Sequence, residues 1–399
     1  MFAPWLENKK KMWMIVMSIL FLVVLVLFQV MEKHGDKNVS TVKKQEEVQV
    51  SWKDTILVVF PVYRHEKAAE CLVRLFETAV KPKRIFVAIL EHSVHTAGSV
   101  STIEEYSRLI HGDASKKSYV SHIRSHRGHV SEIFGGSVAR QEIISKLYNN
   151  ECYLFFVHSH SWFLPGWDEI LTVSIEKVGE GHLVSCYPLE SPDMRDLIYL
   201  NSSPSTFPVF DKFINGTPSF KGRLFANENI PPTRQGLASY KCLFGTAEVL
   251  FQQLAVHDPG IPFLYSHESD FILSTELWIQ GFNVYCPIRS PIVHLQCDFH
   301  SYHDVKSKSL LEFKDAVLTF FKTGEVCKKD EMAIIKKFQT RGMMASPVEF
   351  QGWLGVNLKE QQIAGRLVLG LLREYTDTEL NNKYGSVFKF QQIKNQMCV

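Results

Sequence analysis

An excess of charge of either sign is missing from this chain. Its 399 residues carry 44 Lys and Arg against 42 Asp and Glu, a formal charge of +2. Proteins that live by phosphate-backbone contacts need concentrated cationic surface, so nucleic acid is excluded as the partner. Internal repeats and low-complexity tracts are absent too, which excludes a stacked-repeat architecture. No His-Glu-x-x-His motif occurs, so a zinc hydrolase would lack its base-bearing helix. Cysteine is missing from the first seventy positions: Cys71, Cys152, Cys186, Cys242, Cys286, Cys297, Cys327 and Cys398 all follow the apolar run described next. Their even number permits disulfides in an oxidising compartment, but several sit inside apolar strand-like runs as buried thiols do, and no pairing is assigned.

What is present begins with that run. Met12 to Met31 carries no charge and only Ser18 and Gln29 as polar interruptions, and about twenty residues at 1.5 Å each span a hydrocarbon core. Lys9, Lys10 and Lys11 precede it, whereas Glu32, Lys33, Asp36 and Lys37 after it are mixed. The positive-inside rule then leaves residues 1–11 in the cytosol and the bulk of the chain in the lumen, a single-pass type II arrangement. A cleaved signal peptide would have a shorter apolar core and a small-residue cleavage site. The triplets at Asn38, Asn201 and Asn215 fit glycosylation of a lumenal body. Residues 32–52 read as a polar stem.

From residue 53 the texture changes. Ile56 to Phe60 is a continuous β-branched and apolar run, a strand covered on both faces. Ala69, Leu72, Val73 and Phe76 then form a helical stripe. Arg84–Leu90 reads as a second strand, Ala139, Ile143 and Leu147 mark a helix opened by Gly135-Gly136, and Cys152–Val157 and His182–Cys186 are further strands. This alternation predicts an α/β fold with a mostly parallel sheet between helices. Ligands then bind beyond the carboxyl ends of the strands. The basic stretch His122–His129 reads as a solvated connection. Residues 53–305 form the predicted domain and 306–399 a helical C-terminal extension.

The sharpest constellation follows the strand ending at Val157. His158 and His160, at i and i+2 of an extended chain, point to one side and can present two imidazoles to a divalent ion. Hydrogen-bonded structural histidines would give the same pattern. His294, Cys297, His300 and His303 recur every third residue, but that period does not match a closed zinc knuckle.

Several segments resemble the GlcNAc-transferase family typified by the hydroxyproline polypeptide GlcNAc-transferase, a relative of the polypeptide GalNAc-transferases. They are Pro61-Val-Tyr63-Arg64, Ala139-Arg140, Pro165-Gly-Trp-Asp-Glu169, Cys186-Tyr-Pro188, His257-Asp-Pro259, Leu277-Trp-Ile-Gln-Gly281, Tyr285-Cys-Pro287, Ile292-Val-His294, Gly352–Asn357 and Lys383–Ser386. The resemblance implies a GT-A-like, Rossmann-type fold and transfer of GlcNAc from UDP-GlcNAc to a protein or glycan hydroxyl with retention. It also implies a Golgi or endoplasmic-reticulum membrane location. Carried over, the metal ligands are His158, His160 and His294, with His158 standing where the family has Asp. Mn²⁺ is the family's ion, whereas an all-imidazole set also suits Zn²⁺. The family's Glu-Glu pair aligns with Ser269-Asp270, with Glu268 one step earlier, so Asp270 or Glu268 would orient the acceptor or stabilise charge on the sugar ring. Pro61, Tyr63, Arg64, Arg140, Trp167 and Asp168 would line the nucleotide sugar. Structural alternatives stand beside these roles: packing for Tyr63 and Trp167, an ion pair for Arg140, a helix cap for Asp168. The competing functional reading is a catalytically inactive relative that keeps the fold as a binding or scaffold protein.

Overall fold

The computed structural model describes residues 54–63, 67–93, 100–129, 136–191, 206–214, 216–224, 231–253, 266–279, 281–295 and 347–364. The expected cytosolic tail, membrane run and stem fall outside these residues, as do the sequon asparagines Asn38, Asn201 and Asn215, and Arg64, Cys297, His300 and His303. Among the described residues no helix is long and apolar enough to cross a membrane. The chain divides into two compact units, Met1–Val50 and Ser51–Val399, and all described residues belong to the second.

The first strand, β1 (Ile56–Tyr63), owes its place to its sequence. Ile56, Leu57, Val58, Val59 and Phe60 are all fully buried, and each such side chain contributes about 1.5–3 kcal/mol relative to exposure. A strand apolar on both faces can be satisfied only inside a sheet covered on both sides. It pairs in parallel with β2 (Ile85–Ser93) and with β4 (Tyr153–Val157). Alternate residues serve opposite layers. Ile56, Val58 and Phe60 pack with Leu72 and Leu75 of α1 (Ala68–Thr78), Tyr106 of α2 (Thr102–Leu109) and Leu171 of helix Trp167–Val178. Leu57 and Val59 pack with Ile143 of helix Gly136–Leu147 and with Leu273 and Leu277 of helix Ser266–Ile279. In chain order after α1 and α2 the helices are α3 (Ala114–Lys117), α4 (Gly136–Leu147), α5 (Trp167–Val178), α6 (Ala247–Gln253), α7 (Ser266–Ile279) and α8 (Pro347–Leu354).

The remaining strands are β3 (Ile123–His129), β5 (Ser161–Phe163), β6 (Leu183–Ser185), β7 (Glu190–Ser191), β8 (Thr206–Ile214), β9 (Thr217–Leu224), β10 (Thr233–Gln235), β11 (Cys242–Thr246), β12 (Val284–Cys286), β13 (Ile292–Leu295), β14 (Val356–Asn357) and β15 (Gln362–Ile363). The main sheet has the order β10-β12-β6-β11-β4-β1-β2-β3. Its core is mostly parallel, but β11 runs antiparallel to both β4 and β6, and β10 antiparallel to β12. The sheet is therefore mixed.

Two expectations need correction. The stretch read as a solvated connection is the edge strand β3, in parallel register with β2 from Ile123 opposite Val87 to His129 opposite Ser93. An edge strand needs few apolar side chains, and here only Ile123 joins the core. His122 just before it stacks on Phe86 with ring centroids 4.8 Å apart, and its Nδ1 lies 2.9 Å from the Ile85 carbonyl oxygen. Beyond residue 306 the described part is not purely helical: β14 and β15 form an antiparallel ladder after α8. Phe350 packs on Phe271 and Trp278 of α7, so this segment shares a core with the main body. The five described cysteines, Cys71, Cys152, Cys186, Cys242 and Cys286, are free thiols.

Candidate active site

β4 ends at Val157, and the next residues do not continue it. Ser161 N–H donates to the His158 carbonyl (3.1 Å), closing a turn that sends the chain into β5. The two histidines therefore converge through a turn rather than through the side-to-side alternation of an extended chain. A small second sheet of order β5-β13-β7 supplies the third imidazole. β13 runs antiparallel to β5 with His294 opposite Ser161, and parallel to β7 with His294 opposite Glu190. Leu295 N–H donates to the His160 carbonyl (2.9 Å) and His294 N–H to the Leu189 carbonyl (2.7 Å), so main-chain bonds fix the arrangement on both sides.

The result is three imidazoles around one point. Their ligand nitrogens all lie within 4.8 Å of one another. His158 Nδ1 and His294 Nε2 are 3.2 Å apart, one donating and one accepting. The rings of His160 and His294 have centroids 3.8 Å apart. His160 and His294 are buried and His158 half-buried. Desolvation, then the neighbouring His160, then the charges of Arg140 and Lys241, hold His158 well below the usual imidazole range. A neutral imidazole is the form that ligates metal. Three imidazole donors so close together fit a divalent ion, and they suit Zn²⁺ or a borderline ion better than one that demands oxygen.

Two more of the predicted residues meet at Tyr240, and one of them, Arg140, acts on His158. Arg140 of α4 is buried, with its guanidinium carbon 4.5 Å from the centroid of the Tyr240 ring. Asp270 of α7 is 4% exposed and accepts from the Ser239 hydroxyl (2.7 Å) and the Tyr240 N–H (3.0 Å). Burial raises its carboxyl to about 6, against the pull of Lys241, Ser239, Tyr240 and Arg140. Pro61 stands near the carboxyl end of β1 opposite Leu90, and Tyr63 at its last position opposite His92. Glu268 lies on α7, two residues before Asp270.

Trp167 and Asp168 are placed differently. Trp167 is fully buried and its indole N–H donates to the Leu75 carbonyl (2.9 Å). Asp168 is also fully buried. Its carboxylate accepts from the main-chain N–H groups of Val80 (2.8 Å) and Lys81 (3.1 Å) and pairs with Arg84 at 3.0 Å. Arg84 in turn reaches Asp54 at 2.6 Å. Gly166, at φ +71°, makes the left-handed turn that starts α5 and donates to the Thr78 carbonyl. The Pro-Gly-Trp-Asp-Glu motif thus staples α5 to the connection between α1 and β2, and neither its indole nor its first carboxylate is open to a ligand. Burial on all sides explains why a packing aromatic and a buried carboxylate stand where sugar contacts were expected.

Sequence reasoning missed Tyr240, Lys241 and Glu190. In a parallel sheet the carboxyl edge is lined by residues that follow strands, but β11 runs against β4, with Cys242 opposite Val157. The residues just before it therefore reach that edge beside His158. The aromatic-basic pair Tyr240-Lys241 ahead of an apolar run was the available signal, and only the strand's direction gives it meaning.

The family described as Glycosyltransferase (GlcNAc) matches residues 95–310, more than half of the chain. No curated protein matches it. Among solved structures the chain is similar to GalNAc-T7 in complex with UDP, GalNAc and Mn²⁺, at 13% identity and a TM-score of 0.51, covering 75% of this chain and 56% of that one. It also aligns with a mannosyltransferase from Pyrobaculum calidifontis in complex with GDP-Man and Mn²⁺, at 11% identity and a TM-score of 0.39, covering 72% of this chain and 70% of that one. The first likeness shows a glycosyltransferase fold of GT-A type. With the match spanning the three histidines, Arg140 and Asp270, this chain belongs to the GlcNAc glycosyltransferase family.

Proposed function

We propose that this protein is a metal-dependent glycosyltransferase that moves GlcNAc from UDP-GlcNAc to a hydroxyl of a protein or glycan, with retention at the anomeric carbon. The observation that carries this is the convergence of His158, His160 and His294 at the carboxyl end of β4. Sugar transfer leaves a nucleoside diphosphate whose charge must be neutralised as the bond breaks, which is the chemistry a bound divalent ion supplies. The chain's own residues hold that ion through three imidazoles. In this reading Arg140 counters phosphate charge on the nucleotide with its planar donors, and Tyr63, at the last position of β1, is the candidate beside it. Asp270, ionised above about pH 6, supplies negative charge near the sugar, with Glu268 as the neighbouring acid on α7. Mn²⁺ and Zn²⁺ are the candidate ions.

In the same reading residues 12–31 anchor the chain in a Golgi or endoplasmic-reticulum membrane, with residues 53–399 in the lumen. Alkaline extraction of membranes should leave the full-length protein in the pellet; release into the wash would remove the anchor.

A second reading, a binding protein without turnover, draws on one observation: Asp270 spends its carboxylate on Ser239 and Tyr240. A panel of nucleotide sugars assayed for donor hydrolysis and transfer separates the two. Turnover of UDP-GlcNAc that disappears in His160→Ala is the expected result. Donor binding without turnover of any sugar would favour the binding protein, and equal rates in both proteins would remove His160 from the chemistry.

A further inference from the structure

Lys241 is the last residue before a strand whose register is known. Cys242 opens β11 opposite Val157, so Lys241 stands beside the segment that leaves β4 as His158. Its ammonium pairs with Glu190 Oε1 at 3.2 Å, and Glu190 is the ladder partner of His294. One residue back, the Tyr240 ring carries the Arg140 guanidinium. Two cations on separate elements thus flank the imidazole cluster, and both act on His158 and on Asp270.

Charge explains what such a cation is for. A ligand set of neutral imidazoles brings no negative charge to an ion, and a nucleoside diphosphate brings more than one. Glu190 is half exposed and the Lys241 side chain 19% exposed, and a pair of that kind is held weakly and exchanges partners. Lysine is a mobile point charge suited to phosphate oxygens. We propose that Lys241 binds the diphosphate of the donor, leaving Glu190 for a phosphate oxygen when the nucleotide enters. This rests on the glycosyltransferase reading above. Glu190 holds the ammonium in place before binding and competes with the ligand for it.

Calorimetry on the full-length protein with UDP and UMP as probes, at fixed Mn²⁺ or Zn²⁺, tests the assignment. Lys241→Gln should weaken UDP by about tenfold, the scale of one charge-assisted contact, and weaken UMP much less. Lys241→Arg should restore most of the loss, and Glu190→Gln should bind UDP more tightly than wild type. Metal affinity without nucleotide should be the same in all three variants, which reports an intact imidazole site. Wild-type UDP affinity in Lys241→Gln, alongside a loss in His160→Ala, overturns the role of Lys241 and leaves the glycosyltransferase reading standing. Absence of UDP binding by the wild type overturns both.

Discussion

His294 Nε2 lies 3.2 Å from His158 Nδ1 although 136 residues separate them in the chain. That approach is made by β13 seating between β5 and β7, and it is held by main-chain bonds on either side of His294 rather than by the imidazoles themselves. Replacing an imidazole should therefore spare the fold. His294→Ala is expected to melt within a few degrees of wild type, since a buried ring is lost but no ladder bond. A collapse of the melting temperature would mean that the ring, not the sheet, organises this region.

Asp168 should matter for stability and not for ligand affinity. Its removal leaves two main-chain N–H groups and one face of Arg84 without their acceptor. Asp168→Ala is expected to cost about 3 kcal/mol, near the low end for breaking a buried pair because Asp54 still engages Arg84. Urea denaturation measures it. Unchanged stability with lost UDP binding would return Asp168 to the sugar side.

Gly222 of β9 packs its α-carbon against the backbone of Tyr187 and Pro188. A Cβ there would overlap the Tyr187 carbonyl oxygen and stand 2.7 Å from that of Pro188. Backbone cannot step aside as a side chain can, so Gly222→Ala is expected to destabilise the protein by about 1–3 kcal/mol. An alanine variant as stable as wild type would show that the β8–β9 hairpin does not seat on the 187–188 segment.

The pH dependence of stability has a defined sign at Asp270. Burial lifts its carboxyl to about 6 from an ordinary 3.8, while Lys241, the Ser239 hydroxyl, the Tyr240 N–H and Arg140 oppose the lift. The folded chain thus binds this proton more tightly than the unfolded chain. The group's stabilising contribution is complete below its ordinary value and is lost as pH rises through about 6. Melting temperatures of Asp270→Asn should depend less on pH between about 4 and 7 than those of wild type. A steeper dependence in the variant would contradict the raised value.

Much of this molecule is readable without coordinates, for a physical reason. β1, β2 and β4 lie at the centre of a covered sheet, so Ile56–Phe60, Ile85–Leu90 and Tyr153–Val157 are unbroken apolar runs that announce themselves. The helices α1 and α4 carry stripes that match the layer they face. β3 is hidden because an edge strand is nearly as polar as a loop. β11 offers only the short apolar run Cys242-Leu-Phe244, and its direction is hidden, since antiparallel insertion depends on partners far away in the chain. That single reversal conceals Tyr240 and Lys241. The role of Pro165–Glu169 is obscured in the opposite way: a specific local motif invites a ligand contact, while its partners at Leu75, Thr78, Val80 and Arg84 lie some ninety residues earlier and make it a staple.

The most direct measurement is UDP affinity by calorimetry for wild type and His294→Ala, each with Mn²⁺, with Zn²⁺ and after chelation. Wild type is expected to bind UDP more tightly with one of the ions, by on the order of tenfold or more, and His294→Ala to bind equally with and without it. Equal UDP affinity in wild type with and without ion, or an ion effect that survives in His294→Ala, would contradict a metal centre built from His158, His160 and His294.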